Sequence, residues 1–133
     1  VHSLTPIQEL ENLTMFIASN NVIEDATALK NLHKLTFVNL SENPLESIDF
    51  AKGLPDLDRL QISDTNVSDL TPLANTKNLY YLDIRGTKVT SVQPLVGLTN
   101  LKYVLLNKDT VEDWTLLEKD GGPIISEITI LAE

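Results

Sequence analysis

The stretch LYYLDIRGTKVTSVQPLVGLTN, residues 79–100, decides the fold, because its apolar side chains recur at the same spacing along most of the chain. Its apolar residues occupy positions 1, 4, 6, 11, 14 and 17 of a 22-residue unit that begins at Leu79. Further copies, in which all of these positions are apolar, begin at Leu13, Leu35, Leu57 and Leu101. A fixed period of this length is typical of a solenoid built from stacked units.

Positions 1, 4 and 6 predict a short strand in each unit, because alternate side chains of a strand point to opposite faces. Successive strands then stack as a parallel sheet, about 4.8 Å apart. One unit cannot bury its own apolar face, so stability comes from neighbours stacked along a continuous core. We expect an α/β class, right-handed solenoid with the parallel β-sheet on its concave face. Its convex face should carry 3₁₀ turns and irregular chain.

The repeats predict a single domain over residues 1–133. Residues 1–12 carry the back half of a further unit. Near the other end, Ile125, Ile128 and Ile130 repeat the 1, 4, 6 spacing and predict a terminal strand at about 125–131. The pattern therefore predicts six strands and five complete turns. Since the chain opens at Val1, inside a unit, we interpret it as a fragment of a longer protein.

Position 9 forms a polar column between two apolar ones. A buried polar side chain there can hydrogen bond the backbone where the chain leaves the strand and the ladder offers no partner. We therefore expect a structural role for the column, which consists of Asn21, Asn43, Thr65, Thr87 and Asp109.

Composition narrows the classes of partner. The net charge of -9 leaves no basic face to neutralise phosphates, so we expect no nucleic-acid partner. No apolar run approaches the roughly 20 residues of a membrane span, so we expect no direct membrane insertion. Cysteine is absent, which excludes a disulfide framework and a thiolate metal site. We expect no metal and no cofactor.

The chain resembles leucine-rich-repeat proteins, and among them the 22-residue variety of bacterial internalins. The resemblance is carried by VSDLTPLANTKNLYYLDI (residues 67–84) and VTSVQPLVGLTNLKYVLL (residues 89–106), and by proline at position 16 (Pro6, Pro72 and Pro94). Proline suits a short 3₁₀ turn because its φ is already set. The resemblance implies a surface or secreted protein of a Gram-positive bacterium that binds host or neighbouring proteins through its concave sheet.

The concave face should display positions 2, 3, 5, 7 and 8, which lie between the buried positions. Tyr, Phe and Arg are enriched there, and these residue types are also enriched at binding hot spots. Cross-strand pairing that stabilises the sheet without any ligand is the alternative. The candidate contact residues are Phe37, Arg59, Gln61, Tyr80, Tyr81, Asp83, Arg85, Tyr103 and Leu105.

Two other patterns are assigned no chemistry. Acidic residues recur at positions 12 and 13, but they lack the close oxygen cluster of a calcium loop, so we interpret them as a solvated edge. His2 and His33 have no partner at the spacing of a catalytic site. We therefore expect a protein that is not an enzyme.

These observations predict a monomeric protein-recognition module that is secreted or displayed on a bacterial surface. A glycan is retained as a second class of ligand. Two alternatives remain open: a structural spacer with no ligand of its own, and a cytoplasmic leucine-rich-repeat adaptor.

Overall fold

A computed structural model describes residues 4–107 and 109–117. It contains a five-stranded parallel sheet whose strands follow one another in chain order. Neighbouring strands pair in the predicted register, with Met15 opposite Phe37 and Tyr81 opposite Tyr103. The strands are β1 (Met15–Ile17), β2 (Phe37–Asn39), β3 (Arg59–Gln61), β4 (Tyr81–Asp83) and β5 (Tyr103–Leu105). The terminal strand predicted at 125–131 lies outside the described residues.

The return path of each unit is a short 3₁₀ turn, as predicted, and the described residues contain no α-helix. Pro72 and Pro94 stand in the first two residues of their turns, where no backbone donor is needed. The second unit has Phe50 in place of proline, and its turn is longer, with Phe50 buried. The turns are η1 (Thr5–Ile7), η2 (Thr27–Leu29), η3 (Asp49–Gly53), η4 (Thr71–Leu73), η5 (Gln93–Leu95) and η6 (Trp114–Leu117).

The predicted apolar columns form one continuous core between the sheet and the turns. Positions 1, 4 and 6 are buried in every unit from Leu35 onward. In the first unit, Leu13, Phe16 and Ala18 are only partly buried. The reason is that β1 pairs with β2 alone, so the described chain covers only one side of it. Trp114, at position 14 of the last unit, is likewise only partly buried against the core.

Asn43 confirms the structural role predicted for the position 9 column. Its side chain is buried, and its Nδ2 group donates to the carbonyl oxygens of Ala18, Leu40 and Ser41. Its Oδ1 atom accepts from the backbone N–H groups of Asn21 and Ile23. One amide side chain thus joins the bends of two successive units.

Position 8 adopts a left-handed backbone conformation in the four units that begin at Leu13, Leu35, Leu57 and Leu79. The φ angles are 57° at Asn20, 60° at Glu42, 55° at Asp64 and 68° at Gly86. Asn, Asp and Gly tolerate this region, whereas Glu does so at a cost. The repeat pattern predicts position 8 beside the other concave positions, but it forms the bend after each of the first four strands.

Position 13 supplies a polar side chain that accepts a backbone N–H at the start of η2, η3, η4 and η5. Asp25 and Asp69 accept hydrogen bonds from the N–H groups of Thr27 and Thr71, both at 2.9 Å. These hydrogen bonds are the main cause that lowers the pKa of each carboxyl from its ordinary value of 3.8. Ser47 plays the same part with its hydroxyl group. The acidic edge is therefore in part a row of turn-capping groups.

A candidate protein-contact surface on the open face of the sheet

The open face of the sheet, opposite the core, carries the side chains at positions 2, 3, 5 and 7 of each unit. Position 3 forms its central column, because the register places these residues directly beside one another on successive strands. Its first member, Met15, is 53% exposed, and the others are partly exposed. The column runs Met15, Phe37, Arg59, Tyr81 and Tyr103.

Arg59 lies between two aromatic neighbours in this column. Its guanidinium carbon is 5.2 Å from the centroid of the Phe37 ring and 4.7 Å from that of Tyr81. Both distances are within the range of cation–π attraction. The two rings and the spacing of the strands therefore restrict the movement of the Arg59 guanidinium, although this part of the surface is partly exposed.

Three tyrosines continue the same surface toward β5. The ring centroids of Tyr80 and Tyr81 are 6.5 Å apart, and Tyr103 lies 6.1 Å from each of them. The Tyr80 ring meets the other two edge to face, which is a favourable arrangement of ring quadrupoles. The predicted tyrosine cluster is therefore brought together on the open face, as the register required.

Asp83 departs from its expected exposure. Its side chain is almost entirely buried, at 1%. The carboxylate turns toward the end of its strand, where Oδ1 accepts from the backbone N–H of Arg85 at 3.2 Å and from its Nε at 2.9 Å. Asn39, also at position 5, accepts the N–H of Ser41 in the same way. Arg85 covers this carboxylate, so the charge that is exposed to solvent here is the positive charge of the guanidinium.

Leu105 is also less exposed than predicted, at 9% of its surface. It lies opposite Asp83 in the ladder, and both side chains are buried although they stand at a position of the open face. Gln61, on the other side of Asp83, remains partly exposed. Of the predicted contact residues, the structure therefore displays Phe37, Arg59, Gln61, Tyr80, Tyr81, Arg85 and Tyr103.

The open face differs in charge from the chain as a whole. Its charged side chains are three basic and two acidic, whereas the whole chain has a net charge of -9. One of the two acidic groups, Asp83, is buried against Arg85. The local balance of the open face is therefore cationic on an acidic protein. The five residues are Asp58, Arg59, Asp83, Arg85 and Lys102.

Two charged residues of this surface were not among the predicted contacts. Asp58 lines a shallow cavity of about 250 Å³ together with Met15, Thr36, Phe37, Arg59 and Tyr80. Lys102 places its ammonium group 5.8 Å from the centroid of the Tyr103 ring. Both stand at position 2, which the repeat places on the concave face, so their position in the repeat could have identified them.

The histidine and carboxylate groups of the described residues form no cluster of three or more that could hold a metal ion. His33 is exposed, and its Nδ1 atom lies 2.7 Å from the carbonyl oxygen of Gly53. Over the same residues, no helix is long and apolar enough to cross a membrane.

Among the described residues, the N-terminal edge of the sheet carries most of the exposed large apolar side chains. Ile17, in β1, is 55% exposed, and Leu10 and Val22 are also exposed. An apolar cavity of about 340 Å³ lies beside it, lined in part by Leu4 and Phe16. The position 3 column begins at this edge and continues across all five strands.

Comparison with known proteins agrees with this architecture. Internalin C2 of Listeria monocytogenes has a TM-score of 0.78 and 28% identity, and the match covers 80% of this chain and 47% of that one. Internalin InlF of the same bacterium has a TM-score of 0.75 and 30% identity, over 87% and 34% of the two chains. This chain therefore spans less than half the length of either internalin.

A leucine-rich-repeat protein of Leptospira interrogans shares the fold, with a TM-score of 0.69 and 23% identity over 77% of this chain and 29% of that one. No protein-family model and no curated protein sequence matches the chain.

Proposed function

We propose that this internalin-like leucine-rich-repeat solenoid binds a protein partner on the open face of its sheet. The fold and its similarity to the internalins support a protein-interaction module. The observation that carries the proposal is the continuous column of Phe37, Arg59, Tyr81 and Tyr103, flanked by Tyr80. The aromatic side chains of this column bury a large area with few rotatable bonds when a partner covers them.

The shape of the surface favours a macromolecule over a small molecule. Small-molecule sites are usually deep, enclosed clefts. Here the candidate residues lie along five strands of one sheet, and the cavity beside Arg59 is shallow, at about 250 Å³. An extended face of this kind suits a protein segment laid across successive strands.

The rings also favour a protein over a glycan. The Arg59 guanidinium lies over the rings of Phe37 and Tyr81, and Tyr80 meets Tyr81 and Tyr103 edge to face. Sugars stack on open aromatic faces, and here the Arg59 guanidinium and the neighbouring rings already cover part of that surface. A glycan therefore remains the second ligand class.

We further propose that the protein is secreted or displayed on a bacterial surface and acts as a monomer. Its similarity to two Listeria internalins supports a bacterial surface or secreted setting. The absence of cysteine fits this setting equally well as the cytoplasm, where a repeat adaptor would act. Detection of the protein in the surface and medium fractions of the bacterium that produces it tests this proposal, and recovery only from the cytoplasm would contradict it.

The binding proposal is tested by removing two rings that lie on the open face. A Tyr81→Ala/Tyr103→Ala double variant should lose capture of partner proteins from host or bacterial lysate, by about tenfold or more, because hot-spot rings contribute most of the binding free energy. A Glu24→Ala/Glu46→Ala variant changes exposed residues at position 12, away from the open face, and should capture as the wild type does. Circular dichroism and thermal unfolding confirm that both variants are folded. Unchanged capture by the tyrosine variant would favour the spacer alternative.

A further inference from the structure

Arg59 carries a charge that no other group neutralises within residues 4–107 and 109–117. No carboxylate in this part of the chain lies within 4.0 Å of its guanidinium nitrogens. Arg85, the other arginine of the open face, is paired with Asp83 at 2.6 Å. The two arginines therefore differ in role: Arg85 neutralises a buried group, and Arg59 is held as an unpaired cation.

The hydrogen-bonding groups of Arg59 are also largely unused. An arginine side chain has five N–H donors in a planar fork. Among the described residues, its guanidinium makes one hydrogen bond, a long one of 3.5 Å from Nη2 to the Tyr80 hydroxyl. The rings of Phe37 and Tyr81 contact the side chain without using its donors. The fork is thus restrained but available to an acceptor.

We propose that Arg59 is the receptor for a carboxylate side chain, and that the partner segment laid on the open face is therefore acidic at this point. This inference rests on the proposed function, because it names the chemistry that the same surface selects. A carboxylate can accept two parallel N–H bonds from one guanidinium, and such pairs are the stronger class of protein hydrogen bonds. The restriction of Arg59 between two rings reduces the entropy lost when the pair forms.

The charge around Arg59 favours a carboxylate over a phosphate. Asp58 lies on the wall of the same cavity. One guanidinium balances one negative charge, but a phosphate carries about two at neutral pH and would leave one unbalanced beside Asp58. The global charge of -9 adds to that repulsion at low salt. A single Asp or Glu side chain is the anion that this site accommodates best.

The proposal is tested with a random peptide library displayed on phage and panned in parallel against four immobilised proteins. These are the wild type, Arg59→Gln, Tyr81→Ala/Tyr103→Ala, and Asp58→Asn. Peptides selected by the wild type should contain Asp or Glu more often than those selected by Arg59→Gln. Basic peptides attracted by the acidic remainder of the protein are a background common to both pools.

A selected acidic peptide is then synthesised with its Glu→Gln and Glu→phosphoserine twins. The wild type should bind the Gln twin about tenfold more weakly, the effect expected for loss of a charge-assisted pair. Arg59→Gln should bind the acidic and Gln peptides alike, and Arg59→Lys should retain part of the preference, because it keeps the charge and loses the fork. Asp58→Asn should strengthen binding of the acidic peptide.

Two results would overturn the assignment: equal binding of the acidic and Gln peptides by the wild type, or tighter binding of the phosphoserine twin. The first comparison uses the unmodified protein and does not depend on the folding of any variant. Failure of the underlying function looks different. If the wild type enriches no peptides beyond those of the double tyrosine variant, the open face is not a binding surface. If it enriches peptides without acidic preference, only the carboxylate inference fails.

Discussion

Asp83 lies beneath Arg85, with its Oδ2 atom 2.6 Å from Nη2 of the arginine. The carboxylate is buried, at 1% exposure, whereas 41% of the Arg85 side chain remains in contact with solvent. These hydrogen bonds are the main cause that raises the pKa of Arg85 above its ordinary value. The pair allows the sheet to carry a carboxylate at position 5 without leaving an uncompensated charge below the open face.

Removing Arg85 alone should destabilise the protein. Arg85→Gln should lower the free energy of unfolding by about 1–2 kcal/mol, less than for a fully buried pair because the arginine is partly solvated. Asp83→Asn added to it should recover much of the loss, since no buried charge then remains. Urea unfolding of the single and double variants measures this. Equal stability of Arg85→Gln and the wild type would show that water compensates Asp83 as well as the arginine does.

Asn43→Ala should cost more than the loss of other polar side chains in its column. The variant leaves three backbone carbonyls and two N–H groups without this partner, so we expect about 3 kcal/mol lower stability. Thr65→Ala is the matched control, because Thr65 donates one hydrogen bond, to Ile62. It should cost about 1 kcal/mol in the same denaturant titration. Similar losses for the two variants would contradict the role of Asn43 as a link between units.

Glu42→Asn should stabilise the protein. Glu42 has a φ of 60°, and asparagine occupies this region more readily than glutamate does. We expect a gain of about 0.5–1 kcal/mol in the free energy of unfolding. Glu46→Asn, at an exposed position with the same change in charge, separates this backbone effect from the relief of charge repulsion. A gain of the same size at Glu46 would assign the stabilisation to charge alone.

Asp69→Ser should reduce the sensitivity of the fold to acid. The hydrogen bond from the Thr71 N–H lowers the pKa of Asp69 below 3.8 in the folded state. The ionised carboxyl therefore favours folding at pH values above 3.8, and this contribution is lost as the pH falls through the folded-state pKa. Serine retains an acceptor, as at Ser47, but does not titrate. Urea unfolding at pH 7 and at about pH 3 should show a smaller difference for the variant, whereas an unchanged difference would contradict the assignment.

The repeat, the strand register and the core could be predicted from the sequence because burial follows the 22-residue period directly. Tyr81 and Tyr103 are placed beside each other by that register alone. The burial of Asp83 could not be predicted from the period, because it depends on how Arg85 folds back along the strand end. Asn39, at the same position of its unit, was a hint that a side-chain oxygen here bonds the backbone, since both side chains accept the N–H two residues later.

The bend at position 8 and the turn-capping groups at position 13 each have a signal in the sequence, but that signal also fits another interpretation. Asn20, Asp64 and Gly86 are residue types that tolerate positive φ, and their recurrence at position 8 indicates a bend, but Glu42 interrupts the series. At position 13, Asp and Ser share the ability to accept a backbone N–H. The acidic members alone had indicated a solvated edge, so the capping role became visible only with the hydrogen bonds of the structure.

The central claim, that the open face contacts a protein partner, is tested most directly by photo-crosslinking. Benzoylphenylalanine in place of Tyr103 lies on that face, and in place of Glu46 it lies on an exposed position outside it. On irradiation in host or bacterial lysate, the probe at position 103 should form covalent adducts with partner proteins that are absent from the probe at position 46. Adducts of equal or greater yield at position 46 would contradict the account.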